Sequence, residues 1–212
     1  NSANGYLESC DCPENPFGGL VRRVTVIKNF KSKFTNTLTV DSGDTFSPRE
    51  NKLLAEYCLK MMKFCNYDAV GIGDQEIING VEFIKSHIDS LPFLSANIQI
   101  CDEKMCYPLT KPYLIKEFGD SSPHTPQLKV AVISIIDKSV FMLFPKSKLK
   151  NIEVTDHKEY LKLTIPQLRS KSGEGVDLVV LLSHCGADED KNLAEEIPDI
   201  DVIVGGHSQS FL

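Results

Sequence analysis

The sequence predicts an α/β fold in which strands alternate with helices around a mainly parallel sheet. Three observations carry this expectation. Lys129 to Ile136 and Val176 to Leu182 are almost wholly apolar and rich in β-branched residues, the pattern of strands buried on both faces. Between such runs lie segments whose apolar residues recur at the helical period. Several runs end abruptly at glycine beside a carboxylate or an imidazole, as in Val202-Ile203-Val204-Gly205-Gly206-His207.

In chain order, Gly5-Tyr6-Leu7 is read as a strand end, and Cys10-Asp11-Cys12-Pro13 as a loop that continues through Pro16 and Gly18-Gly19. Leu20, Val21, Val24, Ile27 and Phe30 recur at helical spacing with basic residues between them. Thr37 to Val40 is a short strand running into Asp41-Ser42-Gly43-Asp44. Leu53, Leu54, Tyr57, Cys58, Met61, Met62 and Cys65 mark an amphipathic helix, with the two methionines as core packing. Asp68 to Ile72 is the next strand and ends in Gly73-Asp74-Gln75-Glu76; Val81 to Ile88 is a helix, and Phe93-Leu94 a strand leading to Ser95-Ala96-Asn97.

Residues 99 to 126 read as irregular, with one strand near Tyr113 to Ile115, and residues 137 to 156 as ambiguous. Tyr160, Leu161, Leu163, Thr164 and Leu168 outline a helix that Pro166 should bend or end. The strand at Val176 to Leu182 ends in Ser183-His184-Cys185-Gly186. Ala187 to Glu196 is a helix with acidic residues at its start, which suits a helix N-terminus, and Ile200 to Val204 is the last strand. No internal repeat and no linker divides the chain, so it reads as a single domain, 1–212, expected to be cut short at its C-terminal end.

The composition excludes some partners. Of 212 residues, 42% are hydrophobic and 25% charged, which is globular, and the net charge of -6 argues against a nucleic-acid partner. No basic cluster points to a membrane surface, and no apolar run approaches the ~18 residues of a membrane span. Oligomeric state is not legible. There is no initiator Met and no signal peptide, which suggests a processed chain. Seven cysteines cannot all pair within the chain. Cys58 and Cys65 lie on one predicted helix, ~10 Å apart at ~1.5 Å per residue, too far to bond. Cys101 and Cys106 flank a short loop and can pair in an oxidising compartment.

The chemistry is expected at the strand ends. Asp44, Asp74, His184 and His207 each follow a predicted strand, and in a parallel sheet such ends lie on one edge and converge. Two carboxylates with two imidazoles form a mixed oxygen and nitrogen set. That set suits a divalent transition ion such as Zn, Mn, Fe, Co or Ni better than Ca.

These segments resemble the calcineurin-like metallophosphoesterases, in the branch of secreted 5′-nucleotidases and UDP-sugar hydrolases. Asp41-Ser42-Gly43-Asp44 is similar to the family's D-x-G-D, and Gly73-Asp74-Gln75-Glu76 to its G-N-H-E. Leu94-Ser95-Ala96-Asn97 is similar to its L-S-A-N, Leu182-Ser183-His184-Cys185-Gly186 to its L-S-H-x-G, and Asp201 to Gln209 to its D-V-I-V-G-G-H-S-H. The resemblance implies a metallophosphatase-like α/β sandwich with a two-metal centre between its sheets. It also implies hydrolysis of a small phosphorylated substrate such as a nucleotide by a metal-activated water, in an extracytoplasmic setting, periplasmic or secreted. Asp44 would bridge the two ions, and Asp74, His184 and His207 would complete or adjoin the second ion's shell.

The departures cluster. Ser2 and Asn4 take the places of the family's D-x-H, and Gln209 that of its last histidine, so three substitutions fall on the first metal. Asp74 replaces an asparagine and keeps an oxygen donor. Gln75 replaces the histidine that aids the leaving group, and an amide cannot exchange a proton near neutral pH. The expectation is a reduced centre holding one ion rather than two, in a hydrolase or in a non-catalytic binding protein on the same fold. A rival chemistry is a thiol site made by Cys10, Cys12 and Cys185, against the preferred reading that Cys185 packs inward and Cys10 and Cys12 are loop thiols. Arg22 and Arg23 are read as a solvated helix face, with phosphate binding as the alternative, and His87, His124 and His157 as surface residues.

Overall fold

The computed structural model describes residues 1–10, 14, 18–119 and 127–209; Cys12 and His124 lie outside them. The elements are α1 (Leu20–Lys33), β1 (Val40–Asp41), α2 (Lys52–Cys65), β2 (Ala69–Gly71), α3 (Asp74–Ile77), α4 (Val81–His87), β3 (Phe93–Leu94), β4 (Ile98–Cys101), β5 (Cys106–Pro108), β6 (Tyr113–Phe118), β7 (Leu128–Ile136), β8 (Ile152–Val154), α5 (His157–Arg169), β9 (Leu178–His184), α6 (Ala187–Glu196) and β10 (Val202–Gly205).

The sandwich with mainly parallel strands is present, as two facing sheets and a small third one. β1, β2 and β3 pair in parallel, and β10, β9 and β7 form a second parallel set with β6 added antiparallel at its edge. β5, β4 and β8 make an antiparallel sheet. Side-chain alternation along β7 and β9 sorts their residues to two faces. Val130, Val132, Val180 and Leu182 pack with Ala69 and Leu94 between the two parallel sheets. Ala131, Ile133, Ile135, Val179 and Leu181 pack against Leu161, Ile165, Leu168 and Leu193 of α5 and α6. A third core joins α2 to the outer face of the first sheet through Cys58, Met62, Val70 and Ile84.

The same alternation continues past the apolar run. It turns His184 toward the first sheet and Cys185 toward the helices, where Cys185 packs into the core with Leu193. Asn97 ties the layers together: its Nδ2 donates to the carbonyls of Ile136 (2.8 Å) and Thr155 (2.9 Å), and its Oδ1 accepts from Ile136 N (3.0 Å). That buried amide holds the C-terminal end of β7 beside the third sheet.

Several expectations change. Residues 99 to 126 are not irregular throughout: β4 and β5 form a hairpin closed by a Cys101–Cys106 disulfide, and β6 lines the edge of the second sheet. β5 is exposed and β6 mostly half exposed, so neither shows a marked apolar alternation. Helix α5 runs through Pro166 to Arg169: the proline forgoes its own N–H bond to the turn before, while its carbonyl still accepts from Ser170 N at 3.0 Å. The buried stripe of α2 is Ala55, Cys58, Leu59, Met62 and Cys65, leaving Leu53 and Tyr57 exposed. On α1 only Leu20 is buried, and Val21 and Phe30 are exposed.

Arg23 is not solvated. Its guanidinium bonds the buried Asp41 at 2.8 Å and the Tyr67 hydroxyl at 3.3 Å, clamping α1 to the start of the motif loop. His157 is buried rather than on the surface, with Nε2 3.0 Å from Glu189 Oε1. His87 is half-buried and stacks on Phe83.

Candidate metal centre

The two parallel sheets aim their C-terminal ends at one place. Asp44 lies just past β1, Asp74 opens α3 after β2, His184 ends β9, and His207 follows β10. One ligand atom from each lies within 4.8 Å of the others. His184 Nε2 is 3.2 Å from Asp44 Oδ1 and 3.2 Å from Asp74 Oδ1, and His207 Nδ1 is 3.4 Å from Asp74 Oδ1. Donors bound to one tetrahedral transition ion at ~2.1 Å sit ~3.4 Å apart. The spacing therefore matches a shared cation.

Backbone constraints hold this cluster. Ser2, Asn4, Asp44, His207 and Gln209 all adopt positive φ without being glycine. Such conformations cost of order 1–3 kcal/mol each and gather at sites the surroundings over-determine. Gly73 is needed for space: a Cβ there would meet His184 Cε1 at 2.6 Å and Asp44 Oδ1 at 2.7 Å.

Glu76, which the sequence quoted only as part of a motif, is the strut beneath the cluster. It is fully buried and accepts from the backbone N–H groups of Thr45 (2.7 Å), Gly73 (2.8 Å), Asp44 (3.0 Å) and Phe46 (3.4 Å). Its carboxylate thus locks the Asp44 loop onto the start of α3. Glu76 accepts from the N-cap Gly73 as the glutamate of a capping box does, but glycine lacks the side chain that would complete the box, so the sequence carries no such signature. Burial, with the nearby Asp44 charge, pushes its pKa up to about 7. Ser42 was also missed. Its carbonyl takes the Nδ1 proton of His184 at 2.7 Å, and its hydroxyl donates to Gly205 O at 3.1 Å.

The Ser42 contact fixes the tautomer of His184, leaving Nε2 facing two carboxylates. Burial opposes a positive charge on His184, but hydrogen bonds to Asp44 and Asp74 raise its pKa to about 10. Burial opposes the Asp74 charge too, yet hydrogen bonds with His184 and His207 hold it well below the usual carboxylate range. Two carboxylates beside these imidazoles favour positive charge in the pocket.

Three of the substituted positions meet each other. Gln75 Nε2 donates to Asn4 Oδ1 at 2.9 Å, Asn4 Nδ2 to Gln209 Oε1 at 3.2 Å, and Gln209 Nε2 to Asn4 Oδ1 at 3.3 Å. Ser2 N donates to Gly43 O at 2.9 Å, alongside the same loop. The thiols do not join the group. Cys10 is disulfide-bonded, and Cys185 sits on the opposite face of β9, where burial pushes its thiol up to about 12. Thiolate ligation as read from the sequence therefore has no support from the placement of these two residues. The 680 Å³ cavity against α1, lined by Val26, Phe30 and Phe34, includes none of the four ligands.

No protein-family model matches the chain. It is 29% identical over 216 residues to a 2′,3′-cyclic-nucleotide 2′-phosphodiesterase/3′-nucleotidase of Salmonella typhimurium, covering 91% of this chain and 32% of that protein. It is 29% identical over 218 residues to the snake venom 5′-nucleotidase of Crotalus adamanteus, covering 99% of this chain and 34% of that one. The chain thus spans about a third of the length of these curated relatives. Among solved structures, a 5′-nucleotidase precursor from Thermus thermophilus superposes with a TM-score of 0.80 at 25% identity, over 100% of this chain and 42% of that one. A calcineurin-like phosphoesterase from Bacillus subtilis superposes at 0.75 with 23% identity, over 98% of this chain and 70% of that one. The fold is the metallophosphatase-like α/β sandwich.

Proposed function

Proceeding from a chain similar along nearly its whole length to the N-terminal metallophosphatase part of nucleotidase-type, calcineurin-like metallophosphoesterases, we propose that it is a metal-dependent phosphoester hydrolase with a reduced centre. Asp44, Asp74, His184 and His207 would hold a single divalent transition ion. The observation that carries this reading is the approach of their four ligand atoms to within 4.8 Å. When bound, such an ion supplies Lewis acidity toward a phosphoryl oxygen and makes a nearby water more acidic.

The chain's own residues do the rest. Ser42 orients His184 through Nδ1, and Glu76 sets the position of the Asp44 backbone. Gln75 and Asn4 keep amide donors beside the site without exchanging protons. A substrate that needs its leaving group protonated therefore turns over slowly, and a good leaving group is favoured. A nucleotide is the substrate class the relatives' names suggest, and venom 5′-nucleotidases among them favour an extracytoplasmic setting. No described helix is long and apolar enough to cross a membrane.

A second reading, a binding protein that keeps the ion and has lost the chemistry, is favoured by the same amide cluster. The test is hydrolysis of an aryl phosphate and of nucleoside monophosphates by chelator-stripped chain reloaded with Mn, Co or Zn. Activity that returns with metal and is lost in Asp44→Ala supports the hydrolase. No activity, with thermal stabilisation by metal alone, supports the binding protein. Two ions within the Asp44 group in an anomalous-scattering map would overturn the single-ion centre.

A further inference from the structure

We propose that Asp137, His157 and Glu189 form a second divalent-cation site, on the other face of the strand edge that carries His184. Asp137 directly follows β7, His157 is the first residue of α5, and Glu189 lies in the first turn of α6. One ligand atom from each lies within 4.8 Å of the others. His157 Nε2 is 3.0 Å from Glu189 Oε1 and 3.9 Å from Asp137 Oδ2. These separations bracket the ~3.4 Å between donors that share a tetrahedral ion.

The oxygens that do not face the imidazole are already committed. Asp137 Oδ1 accepts from Ser139 N at 2.6 Å, and Glu189 Oε2 accepts from Asn192 Nδ2 at 3.0 Å. Each carboxylate is thereby turned so that its other oxygen faces the buried ring of His157. This is the orienting support that ligands receive in built metal sites. Two carboxylates balance a divalent charge, and the mixed oxygen and nitrogen set suits zinc or manganese better than calcium. Lys158 Nζ contacts Glu189 Oε1 at 3.1 Å, but it also reaches Glu196 Oε1 at 2.7 Å and keeps that partner when an ion takes Glu189.

The site is separate from the first. Ile136 pairs with His184, so Asp137 and Cys185 follow side by side at the ends of β7 and β9. His184 turns inward between the sheets, while the second group meets the starts of α5 and α6. An ion there would staple both helices to the second sheet, at the edge that presents His184.

The test is zinc binding to the full chain after chelator treatment, followed by competition with a chromophoric chelator, and an anomalous map at the zinc edge. The expected result is that Asp44→Ala with His184→Ala, which removes the two innermost members of the first group, still binds one zinc, and that adding His157→Gln abolishes it. No zinc bound to the double variant, or zinc retained after His157→Gln, overturns the proposal. Should the double variant fail to fold, the map on the unmodified chain decides, by density beside His157 Nε2 or its absence. Density there with none beside His184 upholds this site and overturns the centre proposed above. The reverse pattern overturns this site alone.

Discussion

The side-chain amide of Gln75 donates from Nε2 to Oδ1 of Asn4 at 2.9 Å, and Gln209 donates to the same oxygen at 3.3 Å. Positions that resemble a first metal's surroundings thus satisfy one another. Neutral amides need no cation between them, whereas the carboxylates and imidazoles next door do. Converting Ser2→Asp, Asn4→His and Gln209→His together should replace the amide cluster by ligands and admit an additional ion against Asp44. Adding Gln75→His should then raise turnover of poor leaving groups by roughly 10²-fold, the low end of general acid catalysis. Metal content and kcat on a nucleoside monophosphate check both steps, and an unchanged ion count would refute the reading of the cluster.

Glu76 collects four backbone N–H groups from two segments that are distant in sequence. Hydrogen bonds to a charged group contribute ~1.5–3 kcal/mol each when removed one at a time, and not additively. Glu76→Gln turns an NH₂ toward one of those donors. The expected cost is ~3 kcal/mol, read as a lower urea midpoint, together with weaker metal binding because Asp44 is no longer held. A variant with unchanged midpoint and unchanged metal affinity would show that the strut is dispensable.

Gly73→Ala is expected to separate binding from folding. The added methyl meets His184 and Asp44 at under 3 Å, while φ at this position is -96°, which any residue adopts. The backbone therefore tolerates alanine and the ligand cluster does not. Zinc affinity should fall by at least tenfold, about 1.4 kcal/mol, with a much smaller effect on the unfolding midpoint measured in chelator.

The readable parts of this fold are those whose pattern is local. β7 and β9 are apolar on both faces, so composition reveals them, and α2 shows its period although its stripe is turned slightly from the one expected. The four candidate ligands were legible because strand ends are conspicuous. Glu76 and Ser42 were not, since their roles depend on where a loop more than thirty residues away, or the ring of His184, arrives. His157 looked like a surface residue among lysines and glutamates. It is buried because α6 brings Glu189 over it, a tertiary pairing with no local signature. Arg23 was misread for the same reason, its partner Asp41 lying on another element. β5 is exposed and shows no alternation, and β4 alternates only over Ile98 and Ile100, too short a run to stand out from the residues around it.

Cys58 offers a pH test away from the metal centre. It is fully buried on α2, and burial, with the charge of Glu76, pushes its thiol up to about 12 from an ordinary value near 9. The folded chain therefore keeps this proton where the unfolded chain has released it. Stability linked to the thiol is intact below pH ~8.5, then declines as pH rises toward 12, because the native state binds more protons across that window. One such group contributes a slope of up to ~1.4 kcal/mol per pH unit. Urea unfolding in chelator between pH 8 and 11 should show falling stability, with Tyr67, whose hydroxyl is also raised by burial, adding to it at the upper end. Cys58→Ala should cost ~1 kcal/mol at pH 7 through lost packing and make the fall between pH 8.5 and 10 shallower by its own share, while Cys185 and His184, also raised, keep theirs. A variant whose slope matches the parent's would show that the thiol exchanges its proton as freely in the fold as outside it.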